Sequence, residues 1–187
     1  MEVCGEKTVV VYSSHPQQFT WEGFGLKLSI PKGSLPAGMQ QCTINIKASL
    51  AGQYEFPDNH HLVSAVFWLR CEPPIDKFTR PVTVEIQHCA RSENTSRLKF
   101  VSAVCSQKQL PYTFKQLSGD FNSHSSYGVV ELNSFSCLAV VQEGSEERNY
   151  LSSLLYKEIE GHHTSCIVEI YTVITWNLDA HRYVSLY

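Results

Sequence analysis

Apolar and polar residues alternate with a period of two along much of the chain. Leu26, Leu28 and Ile30 alternate with Lys27 and Ser29, and Ile44, Ile46 and Ala48 with Thr43, Asn45 and Lys47. Val82, Val84 and Ile86 alternate with Thr83, Glu85 and Gln87 in the same way. Successive side chains of an extended chain point to opposite faces, so this spacing predicts strands with one buried face and one wet face. Residues 8–13, TVVVYS, are β-branched and aromatic and read as a further strand. The longer apolar runs at 62–69, 100–105 and 137–141 predict strands that are buried more fully. Breakers separate the runs: Pro31-Lys32-Gly33, Pro36-Ala37-Gly38, Pro73-Pro74 and Ser118-Gly119-Asp120. About nine short strands without intervening helices imply an all-β fold, an antiparallel β-sandwich.

The pattern changes after Gln142. Residues 143–148 are acidic and unpatterned and read as a linker. Leu151, Leu154, Leu155 and Ile159 follow helical spacing over a segment too short to be stable by itself. Residues 167–174 read as a strand in which Val168, Ile170 and Val173 stand out, and 178–187 as a helix with Asn177 as its N-cap. The chain thus divides into a sandwich at 8–142 and a short strand-helix extension at 143–187. A strand and a helix cannot bury their own apolar faces, so the extension reads as the start of a second module or an appendage on the first. A sheet edge, with Tyr171, Trp176 and Tyr183 of the tail, is the expected contact surface.

Composition narrows the function classes. Of 187 residues, 43% are hydrophobic and 18% charged, enough for a core and unlike a disordered chain. The net charge of -3 leaves no basic footprint for nucleic acid, and the lysines and arginines are scattered, so no basic groove is evident. No stretch approaches the roughly 20 apolar residues of a membrane helix, so direct membrane insertion is not expected. Residues 1–11 carry Glu2, Glu6 and Lys7 and do not read as a secretory signal. The expected location is the cytoplasm, including the cytoplasmic part of a membrane receptor if the chain is a fragment. The seven cysteines are odd in number and contain no C-x-x-C pair, which reads as small buried hydrophobes in a reducing compartment. The sequon Asn94-Thr95-Ser96 is then unused.

One segment is specific. Trp21-Glu22-Gly23-Phe24-Gly25-Leu26-Lys27-Leu28-Ser29-Ile30-Pro31-Lys32-Gly33-Ser34-Leu35-Pro36-Ala37-Gly38 resembles the opening of the ZU-5 domain of zonula occludens proteins, netrin receptors, ankyrins and PIDD-type death-domain proteins. Ser34 stands where that family usually has Ala. Leu69-Arg70-Cys71-Glu72-Pro73 and the segment from Phe78 to Ala90, FTRPVTVEIQHCA, resemble two later family segments. The resemblance covers about residues 8–142. The stretch CIVEIYTVITWNLDAHRYV at 166–184 resembles the first strand and helix of the UPA domain, which follows ZU-5 in netrin receptors, PIDD-type proteins and ankyrins. The resemblance implies a non-enzymatic protein-protein interaction module of a signalling scaffold or death-domain adaptor, in signal transduction or apoptosis. Its partners would be other proteins or neighbouring UPA and death domains of the same polypeptide.

The resemblance also implies one chemical alternative. PIDD-type proteins and the related function-to-find domains cut themselves at a Phe-Ser bond near the end of this module. Phe135-Ser136 lies at a loop-to-strand junction in the corresponding region. Ser136 would be the nucleophile, attacking the Phe135 carbonyl while a base takes its proton, and water would hydrolyse the resulting ester. Cleaving relatives commonly read His-Phe-Ser, where this chain has Ser134. The base would then be His124, with His88 the other histidine in range, although His88 belongs to the ordinary strand motif. The alternative reading makes Phe135 a core aromatic and Ser136 a turn residue. No hydrolase, zincin or P-loop motif is present. His60-His61 and His162-His163 are adjacent pairs whose rings diverge on a strand, so no metal and no cofactor is implied.

Overall fold

The computed structural model describes residues 3–90, 92–104 and 110–144. Their strands, in chain order, are β1 (Gly5–Tyr12), β2 (Gln17–Trp21), β3 (Leu26–Ile30), β4 (Gln41–Ser49), β5 (Tyr54–Glu55), β6 (His60–Leu62) and β7 (Val66–Glu72). They continue as β8 (Val82–Gln87), β9 (Leu98–Ala103), β10 (Tyr112–Thr113), β11 (Lys115–Leu117), β12 (Asp120–Phe121), β13 (Tyr127–Leu132) and β14 (Cys137–Glu143). Nine of these are five residues or longer, and the other five are pieces of two or three residues. The short pieces lack the length over which alternation can be recognised.

Two antiparallel sheets form the sandwich. The seven-stranded sheet runs β1-β4-β7-β14-β9-β11, with β6 also pairing with β14, and the five-stranded sheet runs β12-β13-β8-β3-β2. Their facing rows make one core. Ile44 and Ile46 of β4, Phe67 and Leu69 of β7, Phe100 of β9 and Leu138 and Val140 of β14 meet Leu26 and Leu28 of β3 and Val82, Val84 and Ile86 of β8. The alternation sets this arrangement, because a one-residue slip of register would turn each apolar row to water. The fold is therefore the antiparallel β-sandwich that the pattern implies.

The apolar runs mark strands buried on both faces. Val66 and Trp68 of β7, Val101 and Ala103 of β9, and Cys137, Ala139 and Val141 of β14 point away from the core into a second apolar cluster with Phe114. A small parallel pair, β10 with β5, brings Tyr112 beside Tyr54 over that outer face. The 62–69 run is not one strand, however. The ladder breaks between β6 and β7, and Ser64, only 3% exposed, fills the gap. Val140 N–H donates to Ser64 Oγ (2.8 Å), and that hydroxyl donates to the Ala65 carbonyl (2.8 Å).

The proline-glycine corner folds as its residues require. Gly33 (φ 75°) and Gly38 (φ 85°) take left-handed conformations that are cheap for glycine. Ser34 N–H donates to the Pro31 carbonyl (3.2 Å) and Met39 N–H to the Pro36 carbonyl (3.0 Å), closing two successive turns. Ser34 itself is 1% exposed, and its hydroxyl donates to the Pro31 carbonyl (2.8 Å). The slot thus accepts a buried serine because the turn itself supplies the acceptor for its hydroxyl.

Two substitutions test this packing. Ser64→Ala strands the buried Val140 N–H and is expected to cost about 1–3 kcal/mol in urea unfolding. Phe100→Ala removes a fully buried ring stacked on Phe121 and is expected to cost about 3–5 kcal/mol by the same measurement.

Candidate functional site

The Phe135-Ser136 bond sits between β13 and β14, where the chain crosses from the five-stranded to the seven-stranded sheet. Backbone hydrogen bonds hold the crossing on both sides. Phe78 N–H donates to the Asn133 carbonyl (2.6 Å), and Leu69 N–H to the Ser136 carbonyl (3.1 Å). The Phe135 ring meets Phe78 edge-on at 4.8 Å and packs against the core. Ser136 Oγ donates to the carbonyl of Cys137 (3.4 Å).

The structure does not bring the two histidines to this bond. β13 pairs with β8 so that Leu132 lies opposite Val82 and Tyr127 opposite Gln87. Ser136 follows the Leu132 end. His124 precedes the Tyr127 end, in an exposed loop where its N–H donates to Asn122 Oδ1 (2.9 Å). His88 follows Gln87 at that same end, is 2% exposed, bonds through its N–H to the Ser126 carbonyl (2.8 Å), and packs against Phe121. The five steps from Tyr127 to Leu132, at about 3.3 Å each, put roughly 17 Å between the two ends, far beyond proton-transfer reach.

Among the other reactive side chains, the thiols of Cys42, Cys71 and Cys137 are buried. The hydrogen bond between Cys42 and Cys71 lowers the Cys42 thiol from its ordinary value, while the same bond and burial push the Cys71 thiol well above the ordinary thiol range. A thiol kept protonated is a poor nucleophile. His60 and His61 pair with Glu143 and Gln142 of β14, so adjacent positions direct their rings to opposite faces of the sheet. His60 Nδ1 lies 2.8 Å from the Asp58 carbonyl.

Two surfaces remain. The first is the outer face of the seven-stranded sheet, where Tyr54 packs within 6.4 Å, centroid to centroid, of Phe56, Trp68, Tyr112 and Phe114. Alternation alone did not single out this group. The signal was nonetheless present, as the twin tripeptides Tyr54-Glu55-Phe56 and Tyr112-Thr113-Phe114. Each places two rings on one side of an extended segment, and β5 and β10 then align them in register.

The second surface is the β1 edge of the same sheet. Among the described residues β1 pairs with β4 on one side only, with Ser13 N–H donating to the Gln40 carbonyl (2.9 Å) just past its end. That register directs the odd-numbered backbone groups of β1 to β4 and those of Glu6, Thr8, Val10 and Tyr12 outward. The Gln17 side-chain amide covers one end of this row. Its Oε1 accepts from Tyr12 N–H (2.5 Å) and its Nε2 donates to the Val10 carbonyl (3.5 Å). On the outer face Lys47 pairs with Glu6 (2.8 Å) and Thr8 Oγ1 donates to Asn45 Oδ1 (3.1 Å), while Val10 and Tyr12 are each 43% exposed.

The expected tail contacts Tyr171, Trp176 and Tyr183, and the UPA-like segment, lie outside the described residues. No curated protein matches the chain. Residues 11–102, just under half of the chain, match the family model of the ZU5 domain, which is generally a protein-interaction module.

Proposed function

We propose that this chain is a non-enzymatic protein-interaction module of an intracellular signalling scaffold or death-domain adaptor. The observation that carries the reading is the ZU5 match on a sandwich whose longest edge strand is open on one side among the described residues. Rigid sheets fixed by a continuous core hold such an edge in one geometry, so a partner meets a preformed surface and pays little ordering entropy on this side. The partner is another protein or a neighbouring module of the same polypeptide, of the UPA or death-domain type. Apoptotic or related signalling in the cytoplasm is the setting in which such modules are joined. The placement of His124 and His88 far from Ser136 supports a surface role over bond cleavage.

Binding is tested with the full chain against isolated UPA and death domains by sedimentation and calorimetry. A saturable complex is expected. A chain that stays monomeric and inert against every protein offered would overturn the proposal.

Self-cleavage at Phe135-Ser136 is the competing reading, and it is tested on a denaturing gel. β14 lies between β7 and β9, so the two halves would stay together natively and only denaturation would separate them. Wild type and Ser136→Ala are both expected to run as the intact 187-residue chain. Fragments of 135 and 52 residues in wild type, absent from Ser136→Ala, would establish the autoproteolytic module instead.

A further inference from the structure

We propose that the open β1 edge accepts residues 166–174 of this same chain as an added strand. This inference rests on the interaction-module reading and names the docking surface and its occupant.

The acceptor is defined by hydrogen-bonding geometry. An edge strand presents unpaired N–H and C=O groups, and these either meet another strand or are blunted. Among the described residues β1, with eight residues, is the longest edge strand of the two main sheets; β2 has five, β6 and β11 three each and β12 two. Gln17 blunts only the Val10-Tyr12 end, where its side-chain amide occupies the place of a neighbouring peptide group. Glu6 and Thr8 turn their backbone groups outward beyond the reach of that cap. Both residues are exposed, so a chain can approach them.

The occupant is chosen by sequence and by distance. Residues 166–174, Cys-Ile-Val-Glu-Ile-Tyr-Thr-Val-Ile, are β-branched and aromatic with a single charge, the composition of a strand. Docked on β1, the row of Val168 and Ile170 extends the inner row of Val9 and Val11, and the row of Glu169 joins Thr8 and Val10 on the wet face. The chain leaves β14 at Gly144, whose N–H donates to the Asn59 carbonyl (3.1 Å). From β14 across β7, β4 and β1 to one further strand is four steps, about 19 Å at ~4.8 Å each. Residues 145–165 span about 25 Å even as a relaxed coil. A tethered segment then acts at an effective concentration on the order of millimolar, well above a second copy at micromolar concentration.

The test is amide hydrogen exchange, read residue by residue on the full chain and on its Ile170→Pro variant. Alternate residues of β1 report on different neighbours. Glu6 and Thr8 amides report on the added strand, while Lys7 and Val9 amides report on β4 and so on whether the sandwich is folded. In wild type, Glu6 and Thr8 are expected to exchange at least about tenfold more slowly than in Ile170→Pro, with Lys7 and Val9 unchanged. Free exchange at Glu6 and Thr8 in wild type overturns the inference. Protection that survives Ile170→Pro and grows with protein concentration assigns the edge to a second copy and overturns it equally. A free edge on a chain that still binds another protein defeats only this inference. A protected edge on a chain that binds nothing defeats only the interaction-module reading.

Discussion

The structure depends on one constraint: β7, β9 and β14 must each find apolar cover on both sides. Phe67, Phe100 and Leu138 turn inward, and Trp68, Val101 and Ala139 turn outward. A two-layer sandwich can cover only the inward set. The outward set is covered because the segments around β5 and β10 leave the main sheets and pair with each other across it. The protein is thus locally three layers thick, and its centre is a sheet rather than the space between two sheets. The other edge behaves differently. β1 and β4 carry polar outer rows, Glu6, Thr8, Lys47 and Asn45 among them, and need no third layer.

That contrast explains what could be read from the sequence. β3, β4 and β8 were legible because one face is wet, so burial leaves a period of two. β7, β9 and β14 were legible as apolar runs because both faces are covered. What escaped notice depends on register. Ser64 stands inside an apolar run as a single polar residue, and only its position between Val140 N–H and the Ala65 carbonyl reveals a hydroxyl completing the ladder. Gln17 looks like any exposed amide until β2 folds back and places it against Tyr12 and Val10. Residues of β10, β11 and β12 give no periodic signal because two or three residues hold too little pattern.

The candidate site divides in the same way. The location of Phe135-Ser136 at the entry to the last long strand was evident from the change from polar loop to apolar run. The distance from His124 to that bond was not, because it is set by the pairing of β13 with β8. A histidine twelve residues before Ser136 in the chain is separated from it by the length of one strand. Proximity along a β-chain is therefore a poor guide to catalytic pairing. The Tyr-x-Phe repeats make the complementary point: 58 residues separate Tyr54 from Tyr112, yet they face each other.

The position of β14 carries a consequence for how the molecule is made. It fills the slot between β7 and β9, yet it comes after every other described strand. On the ribosome, β7 and β9 emerge first and wait with hydrophobic flanks uncovered until residue 143 has cleared the exit tunnel. Closure is then a late, single event, which favours a holding chaperone during that interval.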